Sequence, residues 1–219
     1  MITVKASAVL FDLDGTLADS TAVVERVWRD WATRHGINAD DLLAVSHGRP
    51  AIDTMRHFRP DLLDLEEEAR MHVAVEEGDV QDIVPIAGAP ELIASLPPDR
   101  WAIVTSCPTR LAAVRREAAG LPAPPVVVTA DDVQLRKPAP DCFLLAAEQL
   151  RVDPQMCVVV EDSPAGIEAG LRAGMRVLGL TTTLSGWPVQ PTWTLPDLRD
   201  IQVSFNQSEL ILKIPGVKY

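Results

Sequence analysis

Val9-Leu10-Phe11-Asp12-Leu13-Asp14-Gly15-Thr16-Leu17 is an apolar run that stops at one carboxylate and meets a second two residues later. Counted from Ala8, the run to Phe11 has the length and composition of a buried strand, and Gly15 suits a tight turn behind it. Open α/β sheets bind their ligands at the carboxyl ends of strands, where Asp12 and Asp14 would stand. Two like charges about 4 Å apart repel by roughly 4 kcal/mol at an effective dielectric near 20. Such a pair asks for a shared cation, or for a proton on one member. In isolation the same residues would also suit an Asp-Gly turn that serves geometry alone, so the neighbouring pattern decides.

Downstream the character changes. Val23, Val27 and Trp31 recur at intervals of four, flanked by Val24 and Trp28, while Glu25, Arg26, Arg29 and Asp30 lie elsewhere around the same predicted helix, Thr21–His35. Charged, helical-looking sequence continues to about Glu77, and no strong strand pattern appears before Pro85. Residues 20–85 therefore read as a helical insertion whose apolar stripes form a bundle core.

From Trp101 strands and helices alternate. The expected order is strand Trp101–Thr105, helix Thr109–Ala119, strand Val126–Thr129, helix Phe143–Leu150, strand Cys157–Val160, helix Pro164–Ala173 and strand Val177–Leu180. That alternation predicts a parallel sheet with right-handed crossovers. A short edge hairpin is expected within Ile201–Ile214, and Gly186–Pro196, with its two tryptophans and three prolines, reads as a loop without an assigned role. Gly166, Gly170 and Gly174 predict close packing of their helix on the sheet. Glu168 and Arg172 argue against the membrane-dimer version of that spacing.

Three more strand ends carry polar groups. Ile103-Val104-Thr105-Ser106 ends in two hydroxyls, with Pro108 suited to the start of the next helix, whose free amides make an anion site. Lys137 precedes Pro138 between a strand and a helix, and the proline limits the backbone from which the lysine leaves. Val158-Val159-Val160-Glu161-Asp162-Ser163-Pro164 repeats the opening pattern, a buried strand ending in two acids with Ser163 as cap and Pro164 in the first turn.

Phe11-Asp12-Leu13-Asp14-Gly15-Thr16-Leu17, followed in order by Thr105-Ser106, Lys137-Pro138 and Glu161-Asp162, resembles the motif set of the haloacid dehalogenase superfamily across essentially the whole chain. The resemblance implies an α/β fold: a Rossmann-like parallel-sheet core of residues 1–19 and 86–219, with a small helical cap, residues 20–85, inserted after the first strand. It makes Asp12 the nucleophile that accepts a phosphoryl group and Asp14 the general acid and base. Thr105 and the Ser106 amide would bind phosphate, and Lys137 would neutralise both the phosphate and the nucleophile. The second acid, Asp14, points to the phosphoryl-transfer branch rather than the dehalogenases. Mg2+ keeps octahedral oxygen coordination with one or two carboxylates, waters and a phosphate. Asp12, the Asp14 carbonyl and Asp162 supply those protein oxygens, with Glu161 either a direct ligand or an acceptor for the metal's waters.

Within that superfamily two capped enzymes compete. A β-phosphoglucomutase-like isomerase uses a cap histidine ten residues after the second aspartate, where this chain has Val24, and a cap-loop arginine, where it has Ala51. The loop Ser46-His47-Gly48-Arg49-Pro50 and the run Ala22–Trp28 are more similar to bacterial sugar phosphatases of the 2-deoxyglucose-6-phosphate and hexitol-phosphate type. His47 and Arg49 are accordingly expected to touch a small phosphorylated sugar. A receiver domain, phosphorylated on aspartate without turnover, fits less well, because it takes phosphate on a later strand than its acid pair and has no cap.

Composition narrows the partners. The 219 residues are 47% hydrophobic with a formal net charge of −11, which argues against a nucleic-acid surface. No stretch has the length of a membrane span and no leader pattern opens the chain. Cys107, Cys142 and Cys157 have no scaffold spacing. A cytoplasmic monomer or weak homodimer is the expectation.

Overall fold

Only Ser7 separates strand β1 (Ile2–Ala6) from strand β2 (Ala8–Phe11), yet the two enter different sheets. The computed structural model describes residues 1–46, 49–206 and 209–216. A two-residue strand β3 (Ala18–Asp19) leads into helices α1 (Thr21–His35), α2 (Ala39–Ser46), α3 (Ala51–Phe58) and α4 (Leu65–Gly78), after which β4 (Val84–Pro85) pairs back on β3. The alternating part follows: α5 (Ala89–Ser95), β5 (Trp101–Val104), α6 (Thr109–Ala118), β6 (Val126–Val128), α7 (Asp141–Leu150), β7 (Cys157–Glu161), α8 (Pro164–Arg172) and β8 (Arg176–Leu180). Strands β9 (Trp193–Leu195), β10 (Gln202–Asn206) and β11 (Glu209–Ile214) come last. Among the described residues no helix is long and apolar enough to cross a membrane.

Six strands make one parallel sheet in the order β6-β5-β2-β7-β8-β9. The chain winds outward from β2 through β5 to β6, then restarts on the other side at β7. That reversal leaves a crevice beyond the carboxyl end of β2, the place where doubly wound sheets take ligands. Strand period sorts the side chains. Val9, Phe11, Ile103 and Val160 join one core with α5 and α6, while Leu10, Ala102, Val104 and Val159 join another with α7 and α8. Both faces are covered, which is why these strands are continuous apolar runs rather than alternating ones.

The helices α1–α4 have a cluster of their own, Trp28, Trp31, Ala32, Leu42, Leu43 and Met55. α1 is shared, because Val23 and Val27 pack into the sheet core beside Phe11 and Leu13. Its apolar face is thus not wholly the bundle core expected of it. Gly36, at φ 65°, ends α1 in a left-handed turn.

Two expectations are corrected. The C-terminal hairpin does not edge the main sheet; β10 and β11 join β1 in a separate antiparallel sheet, order β1-β11-β10. The main sheet's edge is instead β9, inside the stretch read as loop. Its pairing with β8 covers only Leu178–Leu180, too short to leave a strand signature among the prolines.

Candidate active site

Asp12 follows the last residue of β2, and its amide donates to the Val160 carbonyl at 3.0 Å, so β2 and β7 present their ends together. Thr105 and Ser106 leave β5, Glu161 ends β7 and Asp162 follows it. Lys137 reaches the same place from the connection between β6 and α7, through a cis bond to Pro138. All of these are drawn to one crevice, as the sequence predicted.

Lys137 is buried and has all three ammonium protons engaged. Nζ donates to Asp12 Oδ1 at 2.6 Å, Glu161 Oε1 at 2.8 Å and the Val104 carbonyl at 2.9 Å. Burial works against its charge, yet the two carboxylates outweigh burial and hold its pKa above the ordinary lysine value. Asp12 moves the other way. Burial raises it well above a normal carboxylate, Lys137 pulls it down, and Glu161 and Asp162 push it up again.

Glu161, fully buried, spends both oxygens inside the protein. Oε1 takes the lysine, and Oε2 accepts from the Asp162 amide, the Ser163 amide and the Ser163 hydroxyl at 2.8–2.9 Å. A Cβ at residue 166 would overlap its carboxylate, so Gly166 makes room for Glu161 rather than for the packing expected of it. Gly170 is the one that lies against the sheet, at Val159 and Val177.

Asp162 accepts from Thr16 Oγ1 at 3.1 Å and from Thr183 Oγ1, and its carbonyl accepts from Trp187 Nε1 at 2.6 Å. Burial first, then Glu161, raises its carboxyl to about 7. Gly15, at φ 79°, brings the turn after β2 so close that a Cβ would overlap Asp162 and Thr183. The Gly186–Pro196 stretch thus acquires a role, with Trp187 fixing the Asp162 loop.

One oxygen from each of Asp12, Glu161 and Asp162 lies within 4.8 Å of the others. Three buried carboxylates face one ammonium. A divalent cation fits the uncompensated charge, and the donors are all oxygen, as a hard ion requires. With both Glu161 oxygens committed, Asp12 and Asp162 have the freer lone pairs.

Thr105 Oγ1 accepts from the Cys107 amide at 3.1 Å, which directs its own proton away from the backbone. Thr105 and Ser106 line a cavity between the sheet and the helices α1–α4, together with Asp12, Asp14, Asp162 and Arg49. His47 lies outside the described residues. Val24 and Ala51, the positions where a mutase would carry histidine and arginine, line this same cavity.

Asp14 has partners that the sequence did not reveal. Ser20 donates to Oδ1 at 2.7 Å, and Oδ2 takes the Cys107 thiol at 2.9 Å and Arg115 Nη1 at 2.8 Å. Burial raises the Cys107 thiol well above its usual value, with Asp14 adding to the effect, so it stays a donor. Arg115 also meets Glu76 Oε2 of α4 at 2.9 Å. The available signal was position, because Arg115 follows Leu111 and Ala112 by four and three residues on the buried face of α6.

Comparison with known proteins agrees with this geometry. The family model of the haloacid dehalogenase-like hydrolases matches residues 6–174. Hexitol phosphatase A of Escherichia coli K12 is 44% identical over 80% of this chain and 83% of its own. 2-Deoxyglucose-6-phosphate phosphatase 2 of Saccharomyces cerevisiae is 32% identical over 80% and 79%. A hydrolase structure from Pseudomonas syringae superposes with a TM-score of 0.77 at 25% identity, covering 89% of this chain and 95% of that one.

Proposed function

The chain belongs to the haloacid dehalogenase-like hydrolases, and on that premise we propose that it is a magnesium-dependent phosphatase of small phosphorylated sugars or sugar alcohols. The observation that carries the reading is Asp12 held by Lys137 at 2.6 Å beside Asp162, at the mouth of a cavity lined by Thr105 and Ser106. The 44% identity to a hexitol phosphatase supports the substrate class.

Asp12, Asp162 and the Asp14 carbonyl would hold Mg2+, which when bound neutralises charge on the phosphate oxygens. With Oδ1 committed to Lys137, Oδ2 of Asp12 attacks phosphorus in line, and the bond to the sugar oxygen breaks. Asp14 gives that oxygen a proton, then takes one from the water that hydrolyses the aspartyl phosphate, so the proton count closes over a turnover. Thr105 and the Ser106 amide bind the non-bridging oxygens, and Lys137 offsets their growing charge. Positioning and electrostatics dominate such a transfer, and the covalent step divides one barrier into two. Glu161 has the role of orienting Lys137 and the Asp162 loop.

Residues 20–85 act as a cap on the core of residues 1–19 and 86–219, attached through the short β3–β4 ribbon. Its closure would exclude water from the aspartyl phosphate until hydrolysis. Arg49, and His47 with it, are assigned to substrate recognition from the cap. One chain supplies every group, so a monomer or weak homodimer suffices. Three buried unpaired cysteines support a reducing, cytoplasmic setting.

Phosphate release from a panel of phosphorylated sugars, sugar alcohols and phospho-acids tests this. Turnover of the first two classes that stops in excess chelator is expected. Full activity in chelator, or none on any phosphomonoester, would overturn the reading.

A further inference from the structure

Away from the phosphate end, the cavity is closed by polar groups that the reaction above does not use. His72 and Glu76 lie one turn apart on α4 and Arg115 faces them from α6; all three are buried and line the cavity. Arg115 Nη2 donates to Glu76 Oε2 at 2.9 Å. His72 Nε2 is 3.4 Å from Glu76 Oε1 without making a hydrogen bond, and both its ring nitrogens are buried with no partner among the described residues. Arg115 Nε is likewise without one. Trp28 packs against the imidazole with ring centroids 4.0 Å apart, which fixes the ring and walls off one side. A buried polar atom left without a partner costs roughly 1–3 kcal/mol, so three together mark a place built for a ligand's polar groups.

We propose that His72, Glu76 and Arg115 form the subsite that reads the hydroxyls of an uncharged, polyhydroxylated tail, and that rejects anionic tails. The inference rests on the phosphatase reading, which sets the phosphate at Asp12. From Asp14 the chain of contacts runs through Arg115 to Glu76 and on to His72, so a substrate with its ester oxygen at Asp14 extends along it. Arg115 offers donors, Glu76 an acceptor, and the imidazole nitrogens of His72 can donate or accept. Hydroxyls both donate and accept, and match that sequence. A second phosphate or a carboxylate does not, because Arg115 already faces two carboxylates, Asp14 and Glu76, and an added anion would lie against the Glu76 carboxylate. A site built for hydroxyls also discriminates strongly against analogues lacking them, because its buried groups are then left unpaired.

The test compares kcat/KM for glucitol 6-phosphate, 1-hexyl phosphate and 6-phosphogluconate in the unmodified enzyme and in two variants. The unmodified enzyme should prefer the polyol over both others by roughly tenfold or more. His72→Phe keeps the ring against Trp28 without its nitrogens, and Glu76→Gln keeps an acceptor for Arg115 without the charge. His72→Phe should cut the polyol-over-hexyl preference by roughly tenfold, and Glu76→Gln should narrow the polyol-over-acid preference. These are ratios within one protein, which a general loss of fold does not move. Equal rates on the three substrates in the unmodified enzyme, or preferences that survive both substitutions, would overturn the subsite while para-nitrophenyl phosphate hydrolysis left the phosphatase reading standing. Failure to hydrolyse any of the four phosphates would overturn both.

Discussion

Arg115 Nη1 stands 2.8 Å from Asp14 Oδ2, joining α6 to the turn that carries Asp12 and Asp14. The same guanidinium holds Glu76 of α4 at 2.9 Å. Burial disfavours the charge on Arg115, but Asp14, with Glu76 behind it, raises its pKa above the arginine value. The acid assigned to proton transfer is thus bonded to a cation that also holds Glu76 of α4. Movement of α4 away from the sheet separates Glu76 from this arginine and leaves Asp14 as its remaining carboxylate partner.

Breaking that arrangement should be costly. Arg115→Leu strands the buried Glu76 and the partly exposed Asp14, and removal of one partner from a buried pair destabilises by about 3–5 kcal/mol. Urea unfolding measures it. A loss below about 1 kcal/mol, the range of exposed pairs, would mean that the three groups are far better solvated than their burial indicates.

The two acids should fail differently. Asp12→Asn is expected to be inactive, since an amide is a poor nucleophile and a poor ligand. Asp14→Asn keeps its backbone carbonyl and one side-chain oxygen, which can accept from either Ser20 or Cys107, but transfers no proton, slowing turnover by roughly 10²-fold or more. Steady-state kinetics decide, and two variants within about tenfold of the parent, a barrier change near 1.4 kcal/mol, would remove both assignments.

Metal binding should appear in thermal stability. Without metal the folded protein keeps a proton on Asp162 up to about pH 7, whereas an unfolded carboxylate releases it near pH 4. The folded state binds more protons across that window, so its stability contribution is present at low pH and falls as pH rises through it. Added Mg2+ should offset the fall, by about 2.7 kcal/mol at a hundred times its Kd. Asp162→Asn should flatten the pH response and abolish the Mg2+ increment; an increment of unchanged size would take Asp162 out of the metal site.

Hydrolysis should prevail over isomerisation. Val24 and Ala51 line the cavity, and neither side chain can shuttle a proton or grip a second phosphate. Supplied with β-glucose 1-phosphate and a bisphosphate primer, the enzyme should release phosphate and form no glucose 6-phosphate above background, as a coupled dehydrogenase assay would register. Sustained isomerisation would show that another cavity group does the shuttling.

What was legible in the sequence is local. Each strand of the catalytic set is an apolar run stopped by acids or hydroxyls, so β2, β5 and β7 and their terminal residues could be read without knowing their neighbours. Arg115, Glu76 and His72 could not, because a charged residue on an amphipathic helix reads as solvated until its partner is known, and the partners lie on other elements. β9 hid for a different reason. Three paired residues among prolines make no periodic signal, and the parallel edge exists only because β8 offers one. The β1–β11 pairing joins opposite ends of the chain, which no window of sequence spans.

The position of β2 in its sheet carries a consequence for synthesis. β2 is made before both of its sheet neighbours, β5 and β7, and the second of these is complete only at Glu161. Pairing over such separations forms late, because loop closure must come first. A growing chain on the ribosome therefore carries Asp12 long before it has Lys137 or Asp162 beside it. The crevice that sets Asp12 against Lys137 and Asp162 thus exists only once β7 has joined the sheet.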